Sequence, residues 1–91
     1  MTGAATPWRR RDDALWRRSV DAVVLLPAGA ADPVVLPGTA AAVWDLLATP
    51  VTLADLVAAL GAVYSAAPDT IAAEVAPLLA RLADLAAIEP A

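Results

Sequence analysis

The chain has 91 residues, which suits one small domain, and 60% of them are hydrophobic, although alanine makes up much of that fraction. It contains neither Cys nor His, so disulfides, thiolate chemistry and zinc sites of the usual type are excluded. All six basic residues are Arg, five of them within residues 9–18, and the formal net charge is −4. No stretch of about 18 apolar residues is free of Pro and charge, and the N-terminus has no signal-peptide core. We therefore expect no membrane association and a cytoplasmic location.

The first elements in chain order are a tail and three strands. Residues 1–13 lack periodicity, which predicts a flexible basic N-terminal arm ahead of a folded domain over residues 14–91. The arginines at 9–11 are interpreted as solvated, with contact to an acidic partner as the alternative. Residues 14–20 alternate, and residues 22–26 are all apolar and include two β-branched valines; both patterns favour strands. Turn residues at 27–32 precede a third short strand at 33–36, so we expect an antiparallel meander.

The second half of the chain has helical periodicity. Thr39 is the predicted N-cap of a helix over residues 39–48, and Thr52 with Asp55 fits a capping box that opens a second helix. Pro68 suits the first turn of a third helix, which Pro77 is expected to bend without breaking. The predicted fold is α+β: a three-stranded antiparallel sheet followed by three helices, similar in its parts to a winged helix-turn-helix.

The chemistry available to the chain argues against catalysis. The hydroxyls of Ser19 and Ser65 have no base nearby in sequence, and the carboxylates fall at caps and on polar helix faces. No phosphate-binding glycine loop or metal-binding motif occurs. We therefore expect no enzyme activity, no cofactor and no metal. In residues 39–91 Arg81 is the only basic residue, so we also expect no nucleic-acid binding.

The third strand offers a binding mode. It is short and apolar and lies between Pro33 and Pro37, and a sheet this small leaves its edges open. An extended peptide can pair with such an edge, with apolar pockets giving selectivity. The alternative is that the exposed edges pair with one another and make a homodimer.

Several segments of the chain together resemble a known family, the PqqD-like proteins, also called RiPP recognition elements. The resemblance covers about residues 15–90. It rests on VVLLP at 23–27, VVLPGTAAAVWDLL at 34–47, TLADLVAAL at 52–60, Tyr64, EVAPLLARL at 74–82 and IEP at 88–90.

The resemblance implies a non-catalytic peptide chaperone in natural product biosynthesis. Such domains bind the leader of a ribosomally synthesised precursor peptide as an added strand, in the groove between the third strand and the third helix. They present it to a modifying enzyme or leader peptidase. Carried over by position, the peptide-binding residues are Pro33, Val34, Val35, Leu36, Ile71, Glu74, Val75, Leu78, Arg81 and Leu82, with Arg81 expected to pair with a leader carboxylate. A plain core position is the alternative for each residue of the helix stripe, above all for Val75 and for Leu79, which widens the stripe. A winged-helix nucleic-acid-binding domain and a self-associating domain are the alternative functions.

Overall fold

Residues 6–91 are the part of the chain that the structure, a computed structural model, describes. They form, in chain order, β1 (Trp8–Arg10), β2 (Leu15–Arg18), β3 (Ala22–Leu26), β4 (Val34–Pro37), α1 (Thr39–Leu46), α2 (Leu53–Val63), α3 (Pro68–Asp84) and β5 (Ile88–Pro90). The predicted α+β fold is confirmed. None of the helices in this part of the chain is long and apolar enough to cross a membrane.

Strands β2, β3 and β4 form the predicted antiparallel meander. Residues 19–21 join β2 to β3, and the Ser19 amide donates a 2.9 Å hydrogen bond to the carbonyl of Ala22, the first residue of β3. The turn between β3 and β4 contains Gly29 at a φ of +79°, a conformation that costs a glycine little. One face of this sheet packs on α1, where the Trp16 ring meets the buried Trp44 ring edge-on at a centroid distance of 6.1 Å.

The start of the first helix differs from the prediction. Gly38, not Thr39, is the N-cap of α1, and Thr39 is its first helical residue. Gly38 has a φ of +53°, so the chain turns from β4 into α1 through a backbone conformation that residues with a Cβ rarely adopt. The side chain of Thr39 is thereby placed on the helix and makes no capping hydrogen bond.

The other two helices agree with their sequence signals. The Thr52 hydroxyl accepts from the Asp55 amide at 3.1 Å, and the Asp55 carboxylate accepts from the Thr52 amide at 3.0 Å, which completes the capping box of α2. Helix α3 runs without interruption past Pro77, which is exposed. The missing amide of Pro77 therefore affects the solvent side of the helix.

A second, two-stranded sheet was not predicted from the sequence. β1 pairs antiparallel with β5, and Arg9 lies opposite Glu89. This differs from the expected flexible arm over residues 1–13, since residues 8–10 are a strand; residues 1–5 of that arm lie outside the described residues. The Arg9 guanidinium contacts the Glu89 carboxylate at 2.7 Å. The Arg10 guanidinium donates to the Trp44 carbonyl at 2.6 and 2.9 Å and lies over the Trp16 and Trp44 rings.

The hydrophobic core lies between the β2–β3–β4 sheet and the three helices. It holds Val23, Leu25, Leu36, Val43, Trp44, Leu47, Leu56, Leu60, Ile71, Val75, Leu79, Leu82 and Ile88, all of them buried. Because every helix contributes to one contiguous cluster, the relative positions of β4 and α3 are determined by the core beneath them.

Candidate functional site

The open edge of β4 is the first part of the candidate site. β4 pairs with β3 on one side, and no strand within residues 6–91 pairs with its other side. The backbone groups of Ala22 are directed at β2, because the Ser19 amide bonds to the Ala22 carbonyl. In an antiparallel ladder such bonds alternate along the strand, so Ala22 and Val24 make non-hydrogen-bonded pairs with their partners on β4. Val35, opposite Val24, therefore directs its N–H and C=O away from β3, towards the open edge.

The alternation of β4 also assigns its side chains. Leu36 is in the core, with 2% of its surface exposed, and Val34 on the same face is half-buried. Val35 is on the opposite face and is 58% exposed. Pro33 and Pro37 bound the strand, and neither has an amide proton to add to the ladder. The edge is therefore held rigidly by Leu36 while the backbone of Val35 stays accessible.

An apolar groove lies along α3, against the start of α1 and the end of α2, and no residue of β4 lines it. Two adjoining hollows of about 180 and 220 Å³ share Thr39, Glu74 and Val75 in their walls. The first is completed by Leu60, Tyr64, Ala66 and Ile71 and the second by Ala40 and Leu78. Gly38 makes this arrangement possible, because the turn at that residue brings the start of α1 against α3. The groove has room for apolar side chains and has one carboxylate, that of Glu74, at its rim.

The sequence-predicted site residues fall into three groups. Leu36, Ile71, Val75 and Leu82 are buried, Val34 and Leu78 are half-buried, and Pro33, Val35, Glu74 and Arg81 are exposed. Of the buried ones, Ile71 and Val75 also line the hollows, whereas Leu36 and Leu82 contribute to the core. Leu79, which the sequence places in the core, is 5% exposed.

The sequence reasoning missed the α1 and α2 walls of the groove. Thr39 and Ala40 border it from α1, and Leu60 and Tyr64 border it from the end of α2. Tyr64 carried a usable signal, since it is the only tyrosine of the chain and follows an apolar helix stripe. Thr39 did not, because its position depends on the conformation of Gly38.

Some charged side chains of the described chain are paired with one another and others are not. Arg9, Arg11 and Arg18 each contact a carboxylate. Burial lowers the pKa of the Arg10 guanidinium from its ordinary value, with the nearby Asp45 carboxylate acting in the opposite direction. Neither Glu74 nor Arg81 makes an ion pair with any described residue, and the same is true of Arg17, Asp69 and Asp84. Among residues 6–91 no three Asp or Glu side chains converge as a metal site would require.

Comparisons with known proteins bear on this geometry. The family model described as coenzyme PQQ synthesis protein D (PqqD) matches residues 22–88. No curated protein matches the chain. Among solved structures, TbiB1 in complex with the TbiA(beta) leader peptide is similar: the two chains are 25% identical, the TM-score is 0.80, and the match covers 89% of this chain and 94% of TbiB1.

Proposed function

The chain belongs to the PqqD family, as the resemblance of its segments predicted, and we propose that it is a RiPP recognition element that binds the leader of a precursor peptide. The leader adds as a strand to β4 and places apolar side chains in the groove along α3. The domain then presents the precursor to a modifying enzyme or leader peptidase. The observation that carries the proposal is the open edge of β4, with the backbone of Val35 directed outward, next to an apolar groove.

The similarity to TbiB1 supports a leader as the ligand. TbiB1 is in complex with a leader peptide and matches nearly the whole of both chains. The TM-score of 0.80 means that the two backbones share one fold. We therefore assign the same class of ligand to this chain.

The energetics require both parts of the site. Each backbone hydrogen bond to β4 contributes about 0.5–1.5 kcal/mol net. Pro33 and Pro37 limit the pairing to a few residues, so the ladder alone binds weakly. Burial of a Leu-sized side chain contributes about 1.5–3 kcal/mol. One or two apolar leader residues in the hollows beside Val75 and Leu78 would therefore supply most of the affinity.

The charges on the two edges of the sheet favour β4 as the peptide-binding edge. β2 carries Arg17 and Arg18, and charged side chains on an edge strand oppose pairing with a further strand. β4, with the sequence VVLP, carries no charge. The arginines of β2 also disfavour a homodimer that pairs through β2. Self-association would therefore use the β4 edge, where it would compete with the leader.

Binding and presentation need no reacting group. The walls of the groove are apolar side chains, one threonine, one tyrosine and the Glu74 carboxylate. We propose that the domain acts by holding the leader, and that the chemistry belongs to the partner enzyme.

A titration tests strand addition directly. Leader peptides of candidate precursors are labelled, and the binding of one that the wild type recognises is followed by fluorescence polarisation. Val35→Pro removes the outward amide without removing a β3–β4 hydrogen bond, and proline is tolerated on an edge strand. We expect this variant to lose binding while its circular dichroism stays unchanged, and Val35→Ala to bind like the wild type. Unchanged affinity in Val35→Pro would refute strand addition.

A further inference from the structure

One side of α3 carries an ordered set of an acid, an apolar residue and a base. Glu74, Leu78 and Arg81 are spaced i, i+4 and i+7, so they form one stripe along the helix. Glu74 and Leu78 both line the groove next to Ala40 of α1. Arg81 continues the stripe at a rise of about 10 Å from Glu74. The stripe thus runs along the groove side of α3 and has opposite charges at its ends.

Both charged groups are available to a ligand. Glu74 and Arg81 are exposed, and neither pairs with any residue of the described chain. In the N-terminal strands Arg9 and Arg18 each contact a carboxylate, whereas Arg17 is unpaired like Arg81. Glu74 lies on the wall of the groove, and Arg81 lies on the same side of α3 beyond Leu78, outside the two hollows. A ligand of opposite charge order complements such a pair of unpaired charges.

Resting on the proposed leader binding, we propose that Glu74 and Arg81 select the charge order of the bound strand. The preferred peptide has a basic side chain beside Glu74, an apolar one over Leu78 and an acidic one beside Arg81. Side chains on one face of a strand recur every second residue, at about 6.6 Å. A spacing of four residues, about 13 Å, matches the stripe once the reach of the Arg and Glu side chains is included. The recognised pattern is basic–x–apolar–x–acidic, read from the Glu74 end.

The two charges act on selection more than on affinity. Exposed ion pairs contribute little individually. A peptide of reversed order, however, loses both attractions and meets two like charges instead. We expect a preference of about tenfold in Kd, which corresponds to ~1.4 kcal/mol, and we expect it to shrink with added salt.

A displayed peptide library tests the inference without knowledge of the natural precursor. Random 12-residue peptides are selected against the full-length wild type and against the double variant Glu74→Arg/Arg81→Glu, which keeps the net charge. The control is Arg17→Glu/Asp69→Arg, a swap of equal charge at two exposed positions outside the groove walls. Circular dichroism checks that the folds are alike.

The outcomes separate this inference from the proposed function. We expect the wild type and the control to enrich one charge order around an apolar residue, and the groove swap to enrich the reverse. Polarisation titrations with two peptides of equal composition and opposite order then show the tenfold preference and its inversion. Enrichment of apolar peptides with the same order, or with none, in all three selections overturns the charge-order inference alone. No enrichment against any of the three proteins overturns peptide binding itself, and the inference falls with it.

Discussion

Leu78 and Leu79 are adjacent on α3 and give a matched pair of truncations that separates the groove from the core. Leu79 is 5% exposed and packs in the core, whereas Leu78 is half-buried and lines the groove. Leu79→Ala should cost about 2–5 kcal/mol of stability, because a buried leucine leaves a cavity when truncated. Leu78→Ala should cost less than about 1 kcal/mol, because part of that side chain already contacts water.

For leader affinity we expect the opposite order, with the larger loss in Leu78→Ala. Truncation of Leu78 removes apolar surface that a bound leader would cover, so we expect a loss of about 1–2 kcal/mol, or roughly 5- to 30-fold in Kd. Leu79→Ala should bind within about threefold of the wild type at a temperature where it is folded. Urea unfolding followed by circular dichroism gives the stabilities, and fluorescence polarisation with the labelled leader gives the affinities. Equal stability losses in the two variants, or an unchanged Kd in Leu78→Ala, would refute the assignment of Leu78 to the groove.

Two further predictions concern the parts of the fold that position the site. Arg10→Ala should destabilise the protein by about 2 kcal/mol, because it removes charge-assisted hydrogen bonds to the Trp44 carbonyl and a cation–π contact. Arg9→Ala removes an exposed ion pair and should cost under ~1 kcal/mol. Thermal unfolding of both variants measures the difference. Gly38→Ala should cost about 1–3 kcal/mol from its φ of +53° alone, since nothing lies within 4 Å of the added Cβ. Gly61→Ala, in a helix and in ordinary contact with Ile71, should instead stabilise by about 0.5–1 kcal/mol, and equal effects of the two glycine variants would contradict the argument.

Most of the fold could be predicted from the sequence, because the signals for its strands and helices lie within those segments. The apolar run at residues 22–26, with its two valines, predicted β3 with its observed bounds, and the Thr52 capping box marked the start of α2. The β1–β5 sheet has no comparable signal. Each of its strands has three residues, and the pair joins positions 80 residues apart at Arg9 and Glu89. Neither strand is long enough for alternation to be read, so only the folded chain brings them together.

The two parts of the candidate site were predictable to different degrees. The open edge of β4 follows from a short apolar strand at the end of the sheet. The α3 wall of the groove follows from a helix stripe together with the family resemblance. Periodicity could not distinguish Leu78 from Leu79 as groove and core residues, because both lie within the apolar sector of the helix. Thr39 and Ala40 line the groove because the chain turns at Gly38. The capping rule made Thr39 the N-cap of the helix, so it did not predict this turn.

The six residues 34–39, which are β4 and the turn after it, provide both the open strand edge and part of the groove wall. Leu36 fixes the strand in the core, and Val35 on the opposite face leaves its backbone groups free for a ligand. Pro37 can sit in the strand without loss of a ladder bond, because its partner Ala22 directs its own backbone groups to β2. Gly38 then turns the chain so that Thr39 meets α3 at the groove. A change at Gly38 should therefore alter leader affinity as well as stability, since it moves the end of the edge strand and the wall of the groove together.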